Sequence, residues 1–97
     1  MNEKLKSPYI NNLFRAVLSL ESIDECYDFF EDLCTASELQ EMGKRIAAAK
    51  MLKEGAKYTA IAESTGLSTA TISRVNRALK YGSDGYVKAL SKIEYEE

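Results

Sequence analysis

Two cysteines, Cys26 and Cys34, are the only thiols in the chain, and there is no histidine. This excludes histidine-based acid–base catalysis, Ser-His and Cys-His nucleophile pairs, and Cys/His zinc sites. Two thiols cannot build a disulfide framework or a four-thiolate metal centre either. No phosphate-cradling glycine loop and no paired-carboxylate constellation is visible. The residues therefore predict a protein that is not an enzyme and uses no metal and no cofactor.

What remains is the chemistry of charge. Lysine and arginine total 13 against 15 aspartates and glutamates, a net of -2. The charges are segregated. Residues 21–43 carry eight acids and no base, and residues 44–80 carry eight bases against Glu54 and Glu63 alone. One reading is an anion-binding second half. The other is a pair of solvated helix faces of opposite sign. Charge alone leaves both open.

The stretch from Tyr58 to Lys80 separates them. Its threonines between Thr69 and Ser73 would suit a strand by propensity, but the spacing is helical. Thr59 can cap a short helix with Ile61 and Ala62 inward. Gly66 stands where a tight inter-helix turn needs positive φ without a Cβ penalty. Leu67 plugs the corner, Ser68 caps a further helix, and Ile72, Val75 and Leu79 form its inward stripe. This joint pattern is that of a helix-turn-helix. The outward side of the second helix shows Ala70, Ser73, Arg74, Arg77 and Tyr81, with Lys80 at its edge, and no acid lies between Leu67 and Lys80. Small hydroxyl and methyl side chains let a helix start approach base edges. Its free N–H groups and dipole favour phosphate.

The predicted DNA contacts follow. Ser68, Thr69, Ala70, Thr71 and Ser73 face base edges. Arg74, Arg77 and Lys80 take phosphates or bases. Lys57, Tyr58 and Thr59 position the backbone.

The elements that must hold this face are all helical. Ile10, Leu13, Phe14, Val17, Leu18 and Leu20 mark a first helix, apolar over an arc of roughly 160°, wider than a surface helix needs. Ser22-Ile23-Asp24-Glu25 is a capping box for a second helix, whose stripe of Ile23, Cys26, Tyr27, Phe30, Leu33 and Cys34 places both cysteines inward as packing residues. Thr35-Ala36-Ser37-Glu38 is another such box, and Gly55 stops the third helix. Arg45 flanks that helix's apolar stripe. Gly82 to Gly85 form a turn before a short last helix with Tyr86, Ala89, Leu90 and Ile93, and the tail from Glu94 is expected to fray. One all-α domain over 1–97 results. Residues 1–34 are dimerisation helices, 35–57 a central helix, 58–81 the helix-turn-helix and 83–93 the last helix.

From Thr35 to Lys80 the chain resembles the Trp-repressor superfamily. The motifs are Met42-Gly43-Lys44-Arg45, Leu52-Lys53-Glu54-Gly55 and Ser68-Thr69-Ala70-Thr71-Ile72-Ser73-Arg74. The run Cys26 to Cys34 is similar to the YerC/YecD, Trp-repressor-related group. The resemblance implies a six-helix subunit, intertwined with a second copy, that binds operator DNA. It also implies a possible effector site at Thr35, Arg45 and Arg74. Two departures bear on the ligand. A glycine after the second arginine is Val75 here, and a serine three residues on is Ala78. Valine adds bulk and alanine removes a hydrogen-bonding group, so L-tryptophan is not the expected effector, and the effector is left unknown.

The expected partners are double-stranded operator DNA and a second copy of the chain, giving a cytoplasmic bacterial transcriptional regulator with no membrane association. The wide apolar arc of the first helix and Tyr27, Phe29 and Phe30 of the second call for a covering partner. The alternative is a helical protein-interaction module without DNA binding, suggested by the acidic second helix and the negative net charge.

Overall fold

The computed structural model describes residues 2–97. Among them are six α-helices and no strand. The helices are α1 (Pro8–Leu18), α2 (Ile23–Leu33), α3 (Ala36–Lys53), α4 (Tyr58–Thr65), α5 (Thr69–Tyr81) and α6 (Gly85–Lys92), preceded by a 3-10 turn at Glu3–Leu5. No helix among the described residues is long and apolar enough to cross a membrane. The chain divides into two compact units, one reaching to Leu39 and one from Gln40 to Glu97.

In the first unit, local chemistry sets each helix start. Ser7 Oγ accepts the Ile10 amide, and Pro8 opens α1 where its missing N–H costs nothing. Ser22 Oγ accepts the Glu25 amide at 3.1 Å. The Glu25 carboxylate turns back to the Glu21 amide, one residue earlier than a standard capping box. Thr35 and Glu38 close a full box. Thr35 Oγ1 accepts the Glu38 amide at 3.1 Å, and the Thr35 amide donates to Glu38 Oε1 at 2.9 Å. These bonds hold the Glu38 carboxyl below its ordinary range, the Thr35 amide being the larger cause.

The apolar stripes of α1 and α2 find little cover within the chain. None of the described residues up to Leu39 is buried. Leu18 is 84% exposed and Ile23 75%. The cysteines, expected inward, are half-buried and free.

The second unit has a core. Ala48 and Ala49 of α3, Ile61 of α4, the corner residue Leu67, and Ile72 and Val75 of α5 are buried together. Met51, Leu52, Ala62, Leu79, Tyr86 and Leu90 pack around them. Ala48 and Ala49 leave room for helices to approach closely. Burial of a branched side chain such as Ile61 or Ile72 is worth about 1.5–3 kcal/mol. The chain beyond α6 returns to the end of α3. Lys50 Nζ donates to Glu97 Oε1 at 2.8 Å and to Glu54 Oε2 at 2.9 Å, and stands 4.8 Å from the Tyr95 ring centre. Two of these contacts, to Glu97 and Tyr95, join the tail to the end of α3, and Glu97 and then Glu54 raise the Lys50 pKa.

Candidate nucleic-acid interface

The candidate interface comprises α4, the turn and α5. Gly66 ends α4 in the left-handed region (φ 77°), its amide donating to the Ala62 carbonyl at 2.8 Å. An L-residue there loses roughly 1–2 kcal/mol. Thr65 Oγ1 donates to the Ile61 carbonyl and accepts the Leu67 amide. Leu67 drops into the core at 5% exposure. Ser68 then caps α5, its Oγ accepting the Thr71 amide at 3.1 Å.

With Ile72 and Val75 buried and Leu79 half-buried, the other side of α5 is fixed outward. Ala70, Arg74, Arg77 and Tyr81 are all exposed, as are Ser68, Thr69 and Lys80. Thr71 and Ser73 are half-buried at the flanks of the helix. The Ser68 hydroxyl also donates to Thr71 Oγ1 at 3.0 Å, so the capping hydroxyl is engaged twice.

Of the three residues expected to position the backbone, Lys57 and Thr59 are exposed. Tyr58 is half-buried and packs against the core. Thr59 is not the cap of α4. The helix begins two residues before that expectation allows, with Lys57 at its N-cap and no side-chain hydrogen bond closing it. Lysine has no acceptor to offer those amides.

Most cations of the basic stretch are unpaired among the described residues. Of the eight cations between Lys44 and Lys80, Arg45 and Lys50 have carboxylate partners. Lys44, Lys53, Lys57, Arg74, Arg77 and Lys80 are exposed and have no ion pair among the described residues. Glu63 is the one acid between Gly55 and Lys80, so positive charge is concentrated along α4 and α5.

The three residues of the expected effector site stand differently. Thr35 belongs to the first unit and has its hydroxyl in the α3 capping box. Arg45 and Arg74 belong to the second. Arg45 Nη2 lies 3.7 Å from Glu41 Oε1, while its Nε is buried with no hydrogen-bond partner among the described residues. Arg74 is exposed. Val75 is 1% exposed within the core. A mainly apolar cleft of about 390 Å³ opens between α3, α5 and α6, lined by Ile46, Ala78, Tyr86 and Leu90 among others. Among the described residues, no group of three or more potential ligands could hold a metal ion.

Tyr81, on the outward stripe but not among the expected contacts, is 84% exposed. One feature was missed from sequence. The anchoring of Glu97 at Lys50 spans 47 positions, so no local pattern announces it, whereas the Lys50–Glu54 pair has ordinary i,i+4 helical spacing.

Fold and site define an all-helical protein with a helix-turn-helix whose outer face is basic. The family model for the Trp repressor protein matches residues 9–94, and the chain belongs to that family. It is 47% identical over 95 residues to the uncharacterized protein YerC of Bacillus subtilis, covering 98% of this chain and 91% of that one. It superposes on a TrpR-like protein from Eubacterium eligens with a TM-score of 0.88 and 52% identity, covering 97% and 100% of the two chains. A putative Trp repressor from Staphylococcus aureus gives 0.89 and 47%, covering 97% and 96%.

Proposed function

We propose that the chain is a homodimeric transcriptional regulator that binds double-stranded operator DNA in a sequence-specific way through α5. The observation that carries this reading is the outward face of α5. It is acid-free, its arginines are exposed and have no ion pair among the described residues, and it stands opposite the buried Ile72 and Val75. In this reading Thr69, Ala70 and Arg74 reach base edges, and Arg77, Lys80 and Lys57 take phosphates. Dimerisation is supported by the exposed apolar side chains of α1 and α2, Phe14, Leu18, Ile23 and Tyr27. A two-fold pair of recognition helices would meet half-sites about 34–36 Å apart.

L-tryptophan is not the effector in this reading. Val75 already occupies core volume, and Ala78 offers no hydroxyl beside it. A thermal-shift titration with L-tryptophan is expected to leave the melting temperature unmoved, and a saturable rise would overturn that part.

The main test is a mobility-shift titration with duplexes enriched from a random-sequence pool by the wild-type protein. The R74A/R77A double variant is expected to lose binding, and affinity should fall steeply with added salt as counterions are released. Wild-type affinity in the double variant would refute the assignment. The exposed acidic face of α2, with Asp24, Glu25, Asp28, Glu31 and Asp32 all in solvent, favours a second reading as a protein-interaction module. A complex insensitive to both salt and DNA competitor would select it.

A further inference from the structure

We propose that Tyr81 is a DNA-positioning residue, its phenol donating to a backbone phosphate at the outer rim of the groove that α5 enters. This rests on the DNA-binding reading and extends it to a residue outside the basic and hydroxyl set.

The geometry begins with direction. At 100° per residue, Tyr81 stands 180° around α5 from Ile72, and Ile72 is fully buried. Tyr81 therefore points directly away from the core of its own unit. Its neighbours on that side are Ala70, Arg74 and Arg77, at the i, i+4, i+7, i+11 spacing of a single helical stripe. The ring is 84% exposed, and its hydroxyl makes no hydrogen bond among the described residues. A large apolar ring held in solvent at the end of a basic stripe has its whole body available to a partner.

Length decides what that partner offers. At 1.5 Å per residue, Ala70 and Tyr81 are about 16 Å apart along α5. The major groove is about 12 Å wide. With Ala70 at the base edges, Arg74 lies about 6 Å along and still within the groove. Tyr81 falls beyond the groove, where the duplex presents phosphate and sugar. A phenol suits both, through an O–H donor for the phosphate oxygen and a ring face for the sugar.

A neutral donor leaves a distinctive signature. An arginine on phosphate releases a counterion, so its removal lowers the salt slope by about one. Tyrosine releases none.

The test compares wild type, Y81F, Y81A and R77Q on two duplexes, one enriched from a random pool by the wild-type protein and one of unrelated sequence. Y81F is expected to weaken binding to both by roughly 2- to 10-fold. Y81A should weaken it at least as much, and neither should change the salt slope. R77Q should reduce the slope. Sedimentation should show all four in one oligomeric state. Wild-type affinity in Y81F overturns the proposal. A loss confined to the enriched duplex, or a change of oligomeric state in the tyrosine variants, overturns it too. If wild type binds neither duplex, the underlying DNA-binding reading falls, an outcome distinct from a silent Y81F.

Discussion

Ser68 Oγ accepts the Thr71 amide at 3.1 Å and lies 3.0 Å from the Thr71 hydroxyl. The side chain that caps α5 is thus also exposed at the start of its outward face. In the DNA-binding reading stability and recognition meet at Ser68, and substitution can part them. S68A removes the cap and should cost about 1 kcal/mol, read as a fall in the denaturation midpoint. S68D keeps a capping acceptor and complements the helix dipole, so stability should be retained. The new carboxylate, however, meets phosphate at the helix front, and DNA binding should collapse. S68D that binds as wild type would remove Ser68 from the interface.

The two glycines that bracket α5 are predicted to fail for different reasons. Gly66 has open space around its missing Cβ but sits at φ 77°, so G66A pays a backbone penalty of roughly 1–2 kcal/mol. Gly82 has an ordinary negative φ, but a Cβ there would run into the Ala78 carbonyl oxygen, which already accepts the Gly82 amide. G82A must break that closing bond or shift the last turn of α5. Chemical denaturation should show both destabilised. Helical proton shifts at Lys80 and Tyr81 should move in G82A and stay in G66A. The reverse pattern would refute the steric account.

These cases show what the sequence made legible. Ser22, Thr35 and Ser68 announced helix starts because a cap is a contact among residues three apart. Gly66, Leu67, Ile72 and Val75 announced the turn and its core because helical period and positive φ are local properties. Lys57 at the head of α4 was not legible, since Thr59 offers the better capping chemistry and tertiary packing of Tyr58 and Ile61 overrides it. The bond from the Ser68 hydroxyl to Thr71 Oγ1 was not legible, because a helical wheel shows direction but not the bonds between neighbours. The Lys50–Glu97 contact depends on where α6 delivers the chain, and no periodicity carries that.

Glu38 predicts a pH dependence. Its pKa is lowered from 4.5 in the folded chain by the Thr35 amide and hydroxyl. The unfolded chain then binds the proton more readily than the folded one. Stability from this group is complete above pH 4.5 and is lost as the pH falls through the lowered value. Denaturation midpoints between pH 6 and 3 should fall less steeply in E38Q than in wild type. Parallel curves would show that the capping box contributes nothing through charge.

The tail contact at Lys50 is electrostatic and exposed on the glutamate side, with the Glu97 side chain 81% accessible. Such pairs are worth little and are screened by salt. E97Q should speed amide exchange across residues 94–97 at low salt while leaving the global denaturation midpoint in place. Wild type at high salt should approach the variant. Equal exchange rates under all conditions would show that Tyr95 alone seats the tail.

The exposed stripe of α1 and α2 leads to the last prediction. Phe14 is 56% exposed, Leu18 84% and Ile23 75%, and covering such side chains yields about 1.5–3 kcal/mol each. If a second copy supplies the cover, stability depends on protein concentration. Wild type should sediment as a dimer with a melting temperature that rises on concentration. F14D/L18D should sediment as a monomer and lose that dependence, because two buried carboxylates without partners cost more than the stripe returns. The variant leaves every residue of α5 intact, so its binding to a single half-site should fall far less than its binding to a two-fold operator. A dimeric F14D/L18D protein would place the subunit interface elsewhere.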